Sequence, residues 1–137
     1  MPKICCFTGS RDIVRASYGD IYLQLSKLIV ELIEKEGFTD FRAGGARGFD
    51  TVAAITVLNL KSRYPQIKLH LLLPCKGQSK YFSSVDKKLY EFVVSGADTI
   101  TYIQEKYTKD VMFARNRALV DGSDLCIAYQ ERLGGGT

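Results

Sequence analysis

The sequence lacks the long apolar run of a membrane-spanning helix. None of its hydrophobic stretches approaches the about 20 residues that cross a bilayer. The amino terminus also has no cleavable signal peptide, since Met1-Pro2-Lys3 leads directly into a strand-like segment. We therefore expect a cytoplasmic protein with no membrane partner.

Metal-ligating side chains are few and lack a recognisable spacing. The sequence has one histidine, His70, and no Cys-x-x-Cys pair, so no zinc site is predicted. Cys5 and Cys6 are neighbours in a strand and point to opposite faces of it. Cys75 and Cys126 are isolated, and all four cysteines are expected to be buried small hydrophobic residues. Neither a metal nor a cofactor is predicted.

Blocks of basic residues and rows of aromatic residues are also absent. The formal net charge is +4 without a run of Lys and Arg, so the charge by itself does not indicate a nucleic-acid binder. The eight tyrosines and seven phenylalanines are spread along the chain at core-like spacing, unlike the stacking platforms of single-strand binders. A mild positive charge suits a phosphate-bearing small ligand equally well.

What the sequence does contain is a regular alternation of strand-like and helix-like segments. Strands are predicted at residues 3–8, 38–43, 67–73, 98–103 and 125–129, and helices at 17–36, 50–63, 83–95 and 110–121. This alternation predicts a three-layer α/β domain, with an open, mostly parallel sheet of about five strands and helices on both faces. Residues 1–137 are predicted to form one domain, which is expected to lack a C-terminal helix because no helical segment follows the last strand.

A glycine-rich turn at residues 42–50 joins the second strand to the second helix. Glycine allows backbone amides to approach an anion closely, and the helix N-terminus favours negative charge. The residues predicted to contact a phosphate here are Gly44, Gly45, Arg47 and Gly48. Asp50 has two interpretations, as the N-cap or a first-turn acid of the helix or as an acceptor for ribose hydroxyls. A purely structural role for the turn remains an alternative.

Other polar clusters follow strands at the same edge of the predicted sheet. They lie at residues 9–11, 74–78 and 134–137, and the carboxyl edge is where such sheets bind ligands. Arg11 is predicted to clamp a phosphate bidentately, and the alternative is a solvated loop residue without a ligand. In the fourth helix Arg115, with Asn116 beside it, is chosen as the site arginine, because Arg117 lies roughly 200° away around the helix.

Three motifs and the chain end resemble those of the SLOG superfamily of Rossmann-like nucleotide binders, most of all its YpsA-like family. They are Phe7-Thr8-Gly9-Ser10-Arg11, Gly44-Gly45-Ala46-Arg47-Gly48-Phe49-Asp50, Arg115-Asn116-Arg117 and the terminal Gly135-Gly136-Thr137. The resemblance implies a Rossmann-like fold. It also implies that Gly9 and Ser10 contact a phosphate or ribose, and that the terminal Gly-Gly-Thr acts as a phosphate-binding loop.

Two related families bracket the implied activities. The DNA-processing protein A family has similar motifs on a Rossmann-like core that binds single-stranded DNA. The Lonely Guy phosphoribohydrolases cleave the base from a nucleoside 5′-monophosphate and carry Pro-Gly-Gly-x-Gly-Thr-x-x-Glu. The present sequence ends at Thr137, before the position of that glutamate, so only Asp50 and Asp121 are candidate carboxylates for such a reaction.

The leading prediction is therefore a nucleotide-binding sensor or regulatory module, with no catalytic residue assigned. The alternatives are a nucleoside monophosphate hydrolase and a module for single-stranded DNA, and the resemblance also implies a homo-oligomer. Gln78 and Tyr81 are candidates for the walls of a base pocket.

Overall fold

The computed structural model describes residues 2–14, 17–103 and 111–130, with side chains from 114 onward in the last segment. The strands are β1 Lys3–Gly9, β2 Phe38–Ala43, β3 Lys68–Leu73, β4 Thr99–Tyr102 and β5 Leu125–Tyr129. The helices are α1 Tyr18–Glu36, α2 Phe49–Leu60, α3 Ser84–Gly96 and α4 Val111–Val120. All nine predicted elements are present, and a short 3-10 helix, Gln78–Tyr81, was not predicted.

The five strands form one parallel sheet in the order β4-β3-β2-β1-β5. The first three crossovers step in one direction along the sheet, and the last returns from β4 to β5. Right-handed crossovers therefore place α1, α2 and α3 on one face and α4 on the other. In agreement, Arg42 on this second face donates a hydrogen bond to the carbonyl of Asp121, just after α4, at 2.8 Å. The predicted three-layer Rossmann-like architecture is confirmed.

The main core lies between the first face of the sheet and α1 to α3. In α1 the stripe that the helical spacing predicts is buried, namely Ile21, Leu25, Ile29, Leu32 and Ile33. Cys5, Phe41 and Leu69 lie side by side in neighbouring strands, each fully buried on this face. Alternate residues of each central strand therefore face the helices, as the period of a strand requires.

The cysteine prediction is confirmed at three positions and wrong at one. Cys5, Cys6 and Cys75 are buried, whereas Cys126 is exposed. Cys126 lies beside Cys6 on the second face, but its strand β5 is the edge of the sheet and has one neighbouring strand instead of two. Burial raises the pKa of the Cys5 thiol to about 12, so this thiol is protonated at neutral pH.

No helix within the described ranges has the length and apolar character needed to cross a membrane. Across the same residues, no group of three or more His, Cys, Asp or Glu side chains is arranged to hold a metal ion.

Candidate anion-binding cleft

A cleft of about 500 Å³ opens at the carboxyl edge of the sheet. Its walls come from the loops that follow β1, β2 and β3, together with the starts of α1 and α3. The lining residues are Arg11, Asp12, Ile13, Val14, Tyr18, Arg47, Ser83, Val85 and Asp86. The cleft thus lies at the edge where the sequence predicts a ligand, and it combines four charged side chains with apolar ones.

Two backbone hydrogen bonds connect the loop that follows β1 to the start of α2 and to the end of β5. The N–H of Phe49, at the start of α2, donates to the carbonyl of Ser10 at 3.0 Å, and the N–H of Ser10 donates to the carbonyl of Tyr129 at 3.1 Å. Gly48 has a φ of +83°, and a Cβ there would lie 2.3 Å from the carbonyl oxygen of Arg11. Gly48 is therefore required for the contact between the β1 loop and α2, whatever the turn also binds.

Three other predicted glycines are also closely packed against groups of the chain. A Cβ on Gly44 would lie 2.0 Å from Nη1 of Arg115, and one on Gly9 would lie 2.6 Å from the ring of Phe49. A Cβ on Gly45 would lie 2.3 Å from Leu73. Each glycine thus has a structural reason in this fold, and their contacts with a phosphate stay predictions.

A buried ion pair lies behind the glycine turn. Asp50 is 5% exposed and Arg115 4% exposed, and Nη1 of Arg115 is 3.6 Å from Oδ2 of Asp50. Arg115 also donates to the carbonyl of Gly44, and the same Asp50 oxygen accepts from the N–H of Ala46 at 3.3 Å. Burial raises the pKa of Asp50 to about 6, against the opposing influence of Arg115, the Ala46 N–H and Arg11.

The inner part of the glycine turn is therefore occupied by two charged side chains of the protein itself, Asp50 and Arg115. The carboxylate of Asp50 receives an amide hydrogen bond of the kind predicted for a ligand anion, and Arg115 is its counter-ion. The N-cap of α2 is Gly48, so Asp50 is a first-turn acid instead of the cap itself. Asn116 is exposed and accepts a hydrogen bond from Nε of Arg115 at 2.9 Å. The roles of Asp50, Arg115 and Asn116 in ligand binding remain predictions.

A second ion pair lies in the cleft itself. Nη2 of Arg47 donates to Oδ1 of Asp12 at 2.9 Å, and these side chains are 43% and 72% exposed. The hydrogen bond from Arg47 to Asp12 raises the pKa of Arg47, and the charges of Asp12 and Asp86 raise it further. Arg11 is exposed in the same cleft. Two of the predicted arginines, Arg11 and Arg47, are thus brought together in an accessible position.

Sequence reasoning missed the two acidic residues of the cleft. Asp12 directly follows the Gly-Ser-Arg motif, so its position beside Arg11 was an available signal. Asp86 lies in the first turn of α3, and only the tertiary structure brings that helix start to the β1 loop.

Gln78 and Tyr81 do not line the cleft, although Oε1 of Gln78 lies against Gly45 of the glycine turn. Tyr81 belongs to the 3-10 helix and is 88% exposed. Oε1 of Gln78 is buried and, within the part of the chain that the structure describes, has no hydrogen-bond partner. Gly135, Gly136 and Thr137 lie outside the described residues.

A family model, described as the YspA SLOG family (YpsA), matches residues 15–135, which include the glycine-rich turn and Arg115-Asn116-Arg117. The chain belongs to this SLOG family. Among curated proteins it is similar to the uncharacterised SPbeta prophage-derived protein YoqJ of Bacillus subtilis, at 31% identity over 126 residues, covering 83% of this chain and 74% of YoqJ. A UPF0398 protein of Bacillus pumilus is 27% identical over 113 residues, covering 81% and 60% of the two chains.

Among solved structures, the chain resembles DNA processing protein A of Helicobacter pylori, a protein that binds single-stranded DNA. The TM-score is 0.61 at 23% identity, and the match covers 98% of this SLOG chain and 57% of the other. This likeness shows a shared fold. The SLOG chain thus spans about three fifths of the length of the UPF0398 protein and of DNA processing protein A.

Proposed function

We propose that this SLOG domain binds a nucleotide or nucleotide-derived ligand in the cleft and acts as a sensor or regulatory module. The observation that carries the proposal is the pairing of two accessible guanidinium groups, on Arg11 and Arg47, with apolar side chains in one cleft. Guanidinium groups bind phosphate oxygens bidentately. Ile13, Val14 and Val85 supply the apolar surface that a base or ribose requires.

The position of the cleft also supports a phosphate ligand. Arg47, which lines the cleft, immediately precedes Gly48, the N-cap of α2, and the positive end of a helix dipole favours negative charge. The volume of about 500 Å³ falls within the roughly 300–1,000 Å³ of small-molecule sites. Membership of a SLOG family is consistent with such a ligand and does not name it.

A thermal-shift screen of the purified protein tests the proposal. The ligands are nucleoside mono-, di- and triphosphates, NAD, ADP-ribose and short single-stranded DNA. A ligand at ~100 times its dissociation constant stabilises the protein by ~2.7 kcal/mol, which raises Tm by several degrees. We expect a shift with a small nucleotide that is lost in the double variant Arg11→Ala/Arg47→Ala.

The matched control is Arg63→Ala, because Arg63 is exposed just after α2, at the opposite edge of the sheet. It should retain the full shift. A shift that survives in the double variant would overturn the assignment of the cleft. The alternative of N-glycosidic cleavage is tested by incubating the stabilising nucleotide with the protein and assaying for free base. Light scattering on the same samples tests the predicted homo-oligomer.

Single-stranded DNA is the second candidate ligand, and the fold shared with DNA processing protein A favours it. In that case the arginines would contact a phosphodiester backbone, and log K would fall steeply with log salt concentration, by ~0.7 for each phosphate contact. A mononucleotide site should show a shallow salt dependence. Titrations at several salt concentrations with an oligonucleotide and with the stabilising nucleotide separate the two.

A further inference from the structure

The guanidinium of Arg47 already holds an anion, the carboxylate of Asp12. The bond from Nη2 to Oδ1 measures 2.9 Å, within the range of a charge-assisted hydrogen bond. Asp12 stands on the loop that follows β1, whereas Arg47 precedes α2. The contact therefore bridges two separate segments at the mouth of the cleft.

We propose that Asp12 is an internal competitor for the anion site: its carboxylate occupies Arg47 in the free protein and must leave before a phosphate binds there. This inference rests on the function proposed above and adds how the affinity of that site is set. A guanidinium group that already donates a hydrogen bond to a carboxylate has fewer N–H groups available for phosphate oxygens than a guanidinium group without such a partner.

The exposure of the pair makes the exchange feasible. With side chains 43% and 72% exposed, both charges keep much of their hydration, and pairs of this kind contribute little to stability. A phosphate can displace a partner held this weakly. Asp50, the buried partner of Arg115, could not be displaced in the same way, because its carboxylate would then be buried with neither a counter-ion nor water.

Asp86 provides the matched comparison. It lines the same cleft and its charge acts on Arg47, but Arg47 donates its hydrogen bond to Asp12. Replacing Asp86 removes a negative charge without freeing the guanidinium. Replacing Asp12 also removes one negative charge, and in addition it frees the guanidinium group of Arg47.

The test uses inorganic phosphate and pyrophosphate as probes, because neither requires the base to be known. Their binding to wild type, Asp12→Ala, Asp86→Ala and Arg47→Ala is followed by NMR, through the Nε–Hε resonance of arginine side chains and the carboxyl 13C resonance of Asp12. We expect Asp12→Ala to bind about 1.4- to 5-fold more tightly than Asp86→Ala, which corresponds to the about 0.2–1 kcal/mol of an exposed ion pair. In wild type the Asp12 carboxyl resonance should shift as the site fills.

Each outcome decides something. Equal affinities of Asp12→Ala and Asp86→Ala would overturn the competition and leave the proposed function standing. The effect of Asp12→Ala should also disappear in an Arg47→Ala background, and its persistence there would likewise overturn the competition. If no variant and no wild-type sample binds either probe or any nucleotide, the proposed function fails and the inference falls with it.

Discussion

Two arginine–aspartate pairs lie on either side of the glycine turn, and they differ in nearly every property except their chemistry. The pair of Arg115 and Asp50 is buried, at 4% and 5% exposed, with its closest atoms 3.6 Å apart. The pair of Arg47 and Asp12 is exposed, although its closest atoms are only 2.9 Å apart. Distance alone would rank the exposed pair as the stronger.

Burial reverses that ranking. In water the two charges of an exposed pair are nearly as well solvated apart as together, so the pair contributes little. In the interior neither charge has water to replace its partner, so the loss of one group is costly even where the net gain of the intact pair is small. The buried pair therefore holds the turn in place, and the exposed pair is available for exchange with a ligand.

The largest expected effect comes from breaking the buried pair. Arg115→Met should lower the free energy of unfolding by about 3–5 kcal/mol, because it leaves Asp50 buried without a counter-ion. Urea denaturation measures this change. Arg117→Met is the matched control, since Arg117 is exposed in the same helix, and it should change stability by no more than about 0.5 kcal/mol. Similar values for the two variants would contradict the structural role of the pair.

The second effect is a pH dependence of stability that belongs to Asp50. Its pKa in the folded protein is about 6, above the about 3.9 of an unfolded chain. Between these values the folded state binds more protons, so Asp50 contributes more stability as the pH falls from 7 to 4. The gain is on the order of 2 kcal/mol, and it should be absent from Asp50→Asn.

The reference variant is needed because other carboxyls act in the opposite sense. Hydrogen bonds from Thr39 and His70 lower the pKa of Asp40, and the hydrogen bond from Lys61 lowers that of Asp98. The stability that these two groups contribute is lost in acid. The difference in free energy of unfolding between wild type and Asp50→Asn, measured from pH 4 to pH 7, isolates Asp50. A difference that does not increase toward pH 4 would mean that the attraction of Arg115 outweighs the cost of burial.

The smallest effect is expected for the exposed pair. A double-mutant cycle of Arg47→Ala and Asp12→Ala, measured by urea denaturation, should give a coupling energy between about 0.2 and 1 kcal/mol, reduced further by salt. A coupling of 3 kcal/mol or more would place this pair in the same class as the buried one. It would also argue against the exchange of Asp12 for a ligand.

Much of the fold could be predicted because each element carries its own signal. The stripe of α1 from Ile21 to Ile33 and the dense apolar segment of β3 are read directly from residue spacing. The glycine that ends α1, Gly37, has the expected left-handed conformation, with a φ of +74°. The 3-10 helix Gln78–Tyr81 was missed, since one short turn has no periodicity to detect.

The candidate site was predictable in its location and less so in its members. Arg11 and Arg47 follow strands, and the carboxyl ends of parallel strands meet, so their proximity follows from topology. The helical spacing placed Arg115 at the edge of the apolar stripe, and in the structure it is buried against Asp50. Asp86 also lines the cleft, but no motif in the sequence around it indicated a role in the site.

The sequence by itself determined the order of strands and helices, the parallel sheet and the edge at which polar loops converge, because periodicity and alternation are local properties. Only the tertiary structure decided which arginine is paired with which aspartate, and which pair is buried. That choice depends on contacts between residues 35 and 65 positions apart, Asp12 with Arg47 and Asp50 with Arg115. The energetic contribution of each pair then depends on how far the surrounding fold exposes it to water, and no local pattern of residues determines that exposure.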